Sequence, residues 1–88
     1  LLNYGESLGC DIESVVQAYN YGIGFLDFVN QNGKAYSFEL AQQYASQMSG
    51  GSTVAYTNPI ALQTNGGWRY TYGNMFYVML VEQYLPEQ

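Results

Sequence analysis

The chain has 88 residues and a formal net charge of −5, with Lys34 and Arg69 as its basic residues against seven acidic ones. So few cations exclude a nucleic-acid partner, because a phosphate backbone would meet a repulsive surface, and they argue equally against anionic lipid. Cys10 has no second cysteine to pair with and no histidine to share a zinc ion, so neither an internal disulfide nor a zinc site is expected. A chain of this length buries only about 60% of its unfolded surface as a single small domain.

In chain order, residues 1–8 carry Leu1, Leu2, Tyr4 and Leu8 and read as the end of a helix that Gly9 breaks. There is no initiator methionine, no signal-peptide pattern and no apolar run of 18 residues, so the sequence reads as an internal piece of a longer protein, and no membrane span is expected within this segment. Asp11 is placed to cap the next helix, and Glu13 in its first turn suits the helix dipole. Ile12, Val15, Val16 and Tyr19 follow at i, i+3, i+4 and i+7, which predicts one core face and a core-facing Tyr19. Asn20 then stands at the helix end, where its amide can point into a cleft, and Gly22 and Gly24 close the helix.

Phe25, Phe28 and Val29 predict a second short helix that stops at Asn32-Gly33. Ser37 caps the next helix, with Ala41, Tyr44, Ala45 and Met48 on one stripe and Gly50-Gly51 ending it. From Ser52 to Gly67 the pattern is mostly loop. Val54 and Tyr56 alternate as in a short strand, Asn58-Pro59 can open one turn of helix, and Asn65-Gly66-Gly67 reads as a turn. Trp68, Tyr70 and Tyr72 alternate with Arg69 and Thr71 in an extended segment, and Trp68 is read as an anchor for its loop rather than a sugar platform. The last helix, Asn74 to Leu85, is apolar nearly all round and ends at Pro86. Such a helix needs protein on every side, and an apolar surface along Met75, Met79 and Leu80 is expected if none is present. The fold class read from these elements is mainly α, with an irregular region able to hold a short strand pair. The glycine-rich pieces lack the lysine and context of a phosphate loop, and no cofactor is called for.

The run Ala18-Tyr19-Asn20-Tyr21-Gly22-Ile23-Gly24 resembles the third conserved motif of goose-type lysozymes and soluble lytic transglycosylases. From about Gly9 to Leu85 the chain resembles the C-terminal half of the lysozyme-like domain of Gram-positive bifunctional cell-wall hydrolases. The stretches that carry this are 16–22, Tyr56-Thr57-Asn58-Pro59-Ile60-Ala61, Asn65-Gly66-Gly67-Trp68-Arg69-Tyr70 and 72–78.

The resemblance implies a partial lysozyme-like domain over residues 1–88 whose parent cleaves the MurNAc-GlcNAc strand of peptidoglycan as a muramidase or lytic transglycosylase. It implies that Tyr19, Asn20 and Gly22 form the substrate cleft, and that Tyr72 corresponds to a second cleft tyrosine. Two tyrosines beside one carboxyl place their hydroxyls within roughly 8 Å of each other. It also implies a glutamate upstream of Leu1 as the catalytic acid, so the isolated chain is expected to be inactive. Glu6, Asp11, Glu13, Asp27, Glu39, Glu82 and Glu87 read as caps, solvated groups or terminal residues. The implied partners are the glycan strand, the other half of the domain and a cysteine endopeptidase domain, in an extracellular or cell-wall setting. The alternative is a non-catalytic glycan-binding module built on the tyrosines and Trp68.

Overall fold

A computed structural model describes residues 2–83. Among these residues the chain forms six helices and one two-stranded antiparallel sheet, so the mainly-α class is borne out. The first helix, α1 (Leu2–Leu8), ends at Gly9 with φ 78°, and α2 (Ile12–Tyr21) starts immediately after it. The start of α2 is fixed by Asp11, whose Oδ1 accepts the Ser14 amide at 3.0 Å and the Ser14 hydroxyl. Its Oδ2 accepts the Tyr36 amide at 2.9 Å, so one carboxylate caps a helix and holds a distant loop.

Gly22, at φ 95°, turns the chain into α3 (Gly24–Gln31), and its amide closes α2 on the Ala18 carbonyl at 2.7 Å. The backbone there needs a left-handed conformation that glycine adopts without steric cost. Helix α4 (Phe38–Ser49) is capped by Ser37, whose Oγ accepts the Leu40 amide at 3.1 Å, and ends at Gly50. The region read as mostly loop contains one strand of the sheet and a helix, and the extended segment after it supplies the other strand. Strand β1 (Thr53–Ala55) pairs with β2 (Trp68–Tyr70) in the register Thr53↔Tyr70, Val54↔Arg69 and Ala55↔Trp68. Between them lies α5 (Pro59–Asn65), opened by the Asn58 side chain on the Ile60 amide with Pro59 in the first turn.

The core is drawn from α2, α3, α4, α5 and the segment before the last helix, α6 (Tyr77–Glu82). Phe25, Leu26, Val29, Met75 and Phe76 are fully enclosed. Around Phe25 an aromatic group forms from Tyr21, Tyr44 and Phe28, and Tyr72 joins it through Tyr21 and Tyr44. Burial of this kind stabilises at about 25 cal/mol per Å² of apolar surface.

Three expectations are corrected. Tyr19 is 66% exposed and Ile12 65% exposed, and the buried side of α2 is Ser14, Val15, Gln17, Ala18 and Tyr21. Ile12, Val16 and Tyr19 fall within an arc of about 60° at helical spacing, on the side opposite Tyr21. The helix is therefore apolar on two faces, and periodicity alone selects the wrong one. Met48 is also mainly exposed rather than part of a buried stripe, one turn beyond the enclosed Ala45. Finally, Met75 is fully buried, and Met79 and Leu80 pack against the core, so no open apolar surface runs along them. The segment folds more tightly than a continuous helix from Asn74, because Asn74 Oδ1 accepts the Phe76 amide at 2.9 Å and makes a turn before α6 begins. Leu85, Pro86 and Glu87 lie outside the described residues.

Candidate functional site at the end of the second helix

Tyr19 and Asn20 are both exposed, side by side in the last turn of α2, and Gly22 follows with open space where a Cβ would stand. The surface is open, with no enclosed pocket among the described residues. Tyr72 reaches the same end from the turn after β2: its hydroxyl donates to the Tyr21 carbonyl at 2.6 Å, between Asn20 and Gly22 in the chain. Its ring lies 5.4 Å from that of Tyr21 and is half-buried. The structure thus brings Asn20, Gly22 and Tyr72 to one helix end, with Tyr19 on the outer side and the Tyr72 hydroxyl engaged by backbone.

The neighbouring Tyr21 is the buried tyrosine of the motif, donating to the Ala41 carbonyl at 2.9 Å. Burial, with Tyr36 and Tyr72 nearby, pushes its hydroxyl far above the ordinary tyrosine range, and burial raises Tyr44 in the same way. Both therefore act as neutral hydroxyls. No carboxylate is hydrogen-bonded to Tyr19, Asn20 or Tyr72 among the described residues, and no group of three metal-ligating side chains occurs among them. Glu13, at the other end of α2, has its carboxyl pKa raised by burial and then by Glu82.

The residues that build the site from beneath carry no role in the sequence reading, although Gly73 and Asn74 stand in one of the stretches quoted above. Gly73 has φ 51°, and an added Cβ would stand 2.6 Å from Asn20 Oδ1 and 2.7 Å from the Tyr21 ring. The Asn74 amide donates to Asn20 Oδ1. Asn74 is itself held by Gln17, whose Nε2 reaches its carbonyl at 3.0 Å, and by its own Nδ2 on the Tyr56 hydroxyl at 3.1 Å. Arg69 donates from Nη1 to the carbonyls of Tyr70 and Gly73 at 3.0 and 2.9 Å and lies over the Tyr56 ring, so it braces the turn. The glycine itself, between Tyr72 and Asn74, is the signal available in sequence, and only the fold shows what it touches. Trp68 is half-buried against the core and edge-on to Tyr70, as an anchor would be.

A family model described as Lysozyme-like matches residues 1–85. Pneumococcal vaccine antigen A of Streptococcus pneumoniae serotype 4 is 35% identical over 83 residues, covering 86% of this chain and 40% of that protein. The bifunctional muramidase/DL-endopeptidase CwlT of Bacillus subtilis 168 is 40% identical over 40 residues, 46% of this chain and 12% of that protein. A crystal structure of a protein similar to a lipoprotein of the NLP/P60 family, from Staphylococcus aureus Mu50, superposes with a TM-score of 0.97 at 55% identity. It covers 99% of this chain and 30% of that one. The chain spans less than half the length of each of these relatives.

Proposed function

The chain belongs to the lysozyme-like family, and on that premise we propose that it forms part of a peptidoglycan glycosidase, presenting Tyr19, Asn20, Gly22 and Tyr72 to the glycan strand. The observation that carries the reading is the pair Tyr19 and Asn20. A large aromatic side chain stands 66% exposed beside an exposed amide, on a helix whose opposite face is sealed in core. A tyrosine ring offers an apolar face to a sugar ring and a hydroxyl to its polar edge, and an asparagine amide serves an N-acetyl group or ring hydroxyl. Glycosidic cleavage further requires a carboxylic acid kept protonated by its surroundings, to protonate the leaving oxygen. In this reading that acid comes from outside the 88 residues, and the chain by itself has no lytic activity. Whether water or the sugar's own hydroxyl attacks separates muramidase from lytic transglycosylase. The muramidase/DL-endopeptidase relative and the NLP/P60 neighbour support a cell-wall or extracellular setting and an adjoining peptidase domain.

One observation favours a second reading, a non-catalytic glycan-binding module. The Tyr72 hydroxyl spends its proton on the Tyr21 carbonyl and so does not donate to a carboxyl in this arrangement. The test is incubation of the whole protein with purified Gram-positive walls, following turbidity and newly formed sugar ends. Clearing with new ends, strongly reduced by Tyr19→Ala at unchanged melting temperature, supports the glycosidase. Binding without new ends supports the module, and neither binding nor clearing overturns both.

A further inference from the structure

We propose that the Gly73-Asn74 turn is a positioning element that locks the Asn20 amide with its oxygen inward and its NH2 outward, making the site selective for hydrogen-bond acceptors such as an acetamido carbonyl. The inference rests on the glycan-strand reading above and names the chemical group that the site selects.

The orientation follows from hydrogen-bond polarity. The Asn74 backbone N–H points at the Asn20 side chain, and only the amide oxygen can accept it. That leaves Nδ2 on the exposed side, where it has no partner among the described residues. The donor is held firmly, because every polar group of Asn74 is used. Its carbonyl accepts from Gln17 Nε2 and from the Tyr77 amide, both at 3.0 Å. Its Oδ1 accepts from Phe76, and its Nδ2 donates to Tyr56.

Gly73 makes the approach possible. A Cβ there would stand 2.6 Å from Asn20 Oδ1 and within 2.8 Å of two Tyr21 ring carbons, and its φ of 51° already favours glycine. The Arg69 guanidinium fixes the Gly73 carbonyl at 2.9 Å from the other side. A freely turning asparagine presents a donor or an acceptor with equal ease. This one turns its two N–H donors outward, which suits a carbonyl oxygen and not an ammonium group.

The test compares N-acetylated with de-N-acetylated glycan strands, using the whole protein and its Asn20→Asp variant. Aspartate keeps an oxygen for the Asn74 N–H, so the melting temperature is retained, while the outward NH2 becomes a second carboxylate oxygen. Wild-type protein should prefer the N-acetylated strand. In N20D that affinity should fall about ten- to a hundredfold at neutral pH and recover in acid, as protonation restores an outward donor. The variant should instead gain affinity for the de-N-acetylated strand, whose amines are cationic, and a purely structural Asn20 would show neither effect. Gly73→Ala should raise KM for N-acetylated strands by displacing the amide.

In wild-type protein labelled with 15N, an N-acetylglucosamine oligomer should shift the Asn20 side-chain NH2 resonances, and this measurement stands even if a variant fails to fold. Wild-type protein that binds strands while N20D matches it at every pH, or an unmoved Asn20 NH2, overturns the positioning role alone. Wild-type protein that binds neither strand overturns the glycan reading and this inference with it.

Discussion

The Tyr72 hydroxyl donates to the Tyr21 backbone carbonyl at 2.6 Å across 51 positions of sequence, tying the turn that follows β2 to the last residue of α2. The bond makes Tyr72 a structural strut as well as a candidate site residue. Tyr72→Phe keeps the ring on Tyr21 and Tyr44 and removes only the bond. The expected loss is about 0.5 to 1.5 kcal/mol, a drop in melting temperature of roughly 2 to 12 °C for a domain of this size. Thermal unfolding measures it; an unchanged melting temperature would mean that the hydroxyl serves only a ligand.

Tyr19 and Tyr21 should respond in opposite ways to substitution. Tyr19→Ala changes stability by no more than about 0.5 kcal/mol, because the side chain is mostly in solvent. Tyr21→Ala empties an aromatic site beside Phe25 and should cost about 3 to 5 kcal/mol. Denaturant titration of the two variants distinguishes them. A large loss at Tyr19 would return it to the core.

Gly5 in α1 should reject the residue that helices usually favour. Alanine is worth up to about 1 kcal/mol over glycine in a helix interior. Here its methyl would stand 2.6 Å from a Val15 methyl, and valine has little rotameric freedom with which to give way. Gly5→Ala is therefore expected to destabilise by about 1 to 3 kcal/mol. A stabilised variant in urea unfolding would show that α1 packs less closely.

Glu13 supplies a pH dependence of definite sign. Burial and then Glu82 raise its folded-state pKa, so folding takes up a proton there. Its contribution to stability is complete in acid, below the unfolded-state value near pH 4.3, and is lost as pH rises through the raised folded value. Glu13→Gln should match wild type at about pH 3.5 and become the more stable protein by about pH 7. Melting curves at the two pH values check the crossing, and a variant that loses stability relative to wild type as pH rises would reverse the assignment.

Much of the architecture is legible in the residues because the controlling interactions are local. Asp11 and Ser37 cap the helices they precede, Gly22 and Gly50 end them, and Asn58-Pro59 opens a short one. The α2 face misleads because Ile12, Val16 and Tyr19 satisfy the core periodicity, whereas the core also takes Ser14 and Gln17, polar residues that no apolar template selects. Gln17 is inside because its amide is needed by the Asn74 carbonyl, a demand from 57 positions away. The candidate site divides along the same line. Tyr19, Asn20 and Gly22 are neighbours in sequence and stand out as a motif, while the hold on Asn20 comes from Asn74 and Gly73, which only the tertiary fold brings to it.

The central claim, that the end of α2 meets the glycan strand, is tested most directly by mapping backbone amide shifts in the 15N-labelled whole protein on titration with soluble glycan-strand fragments. The account predicts saturable shifts concentrated at Tyr19, Asn20, Gly22 and the Gly73-Asn74 turn, with the β1–β2 sheet and α4 unmoved. Shifts centred on the sheet or around Met48, with residues 19–22 silent, would contradict it.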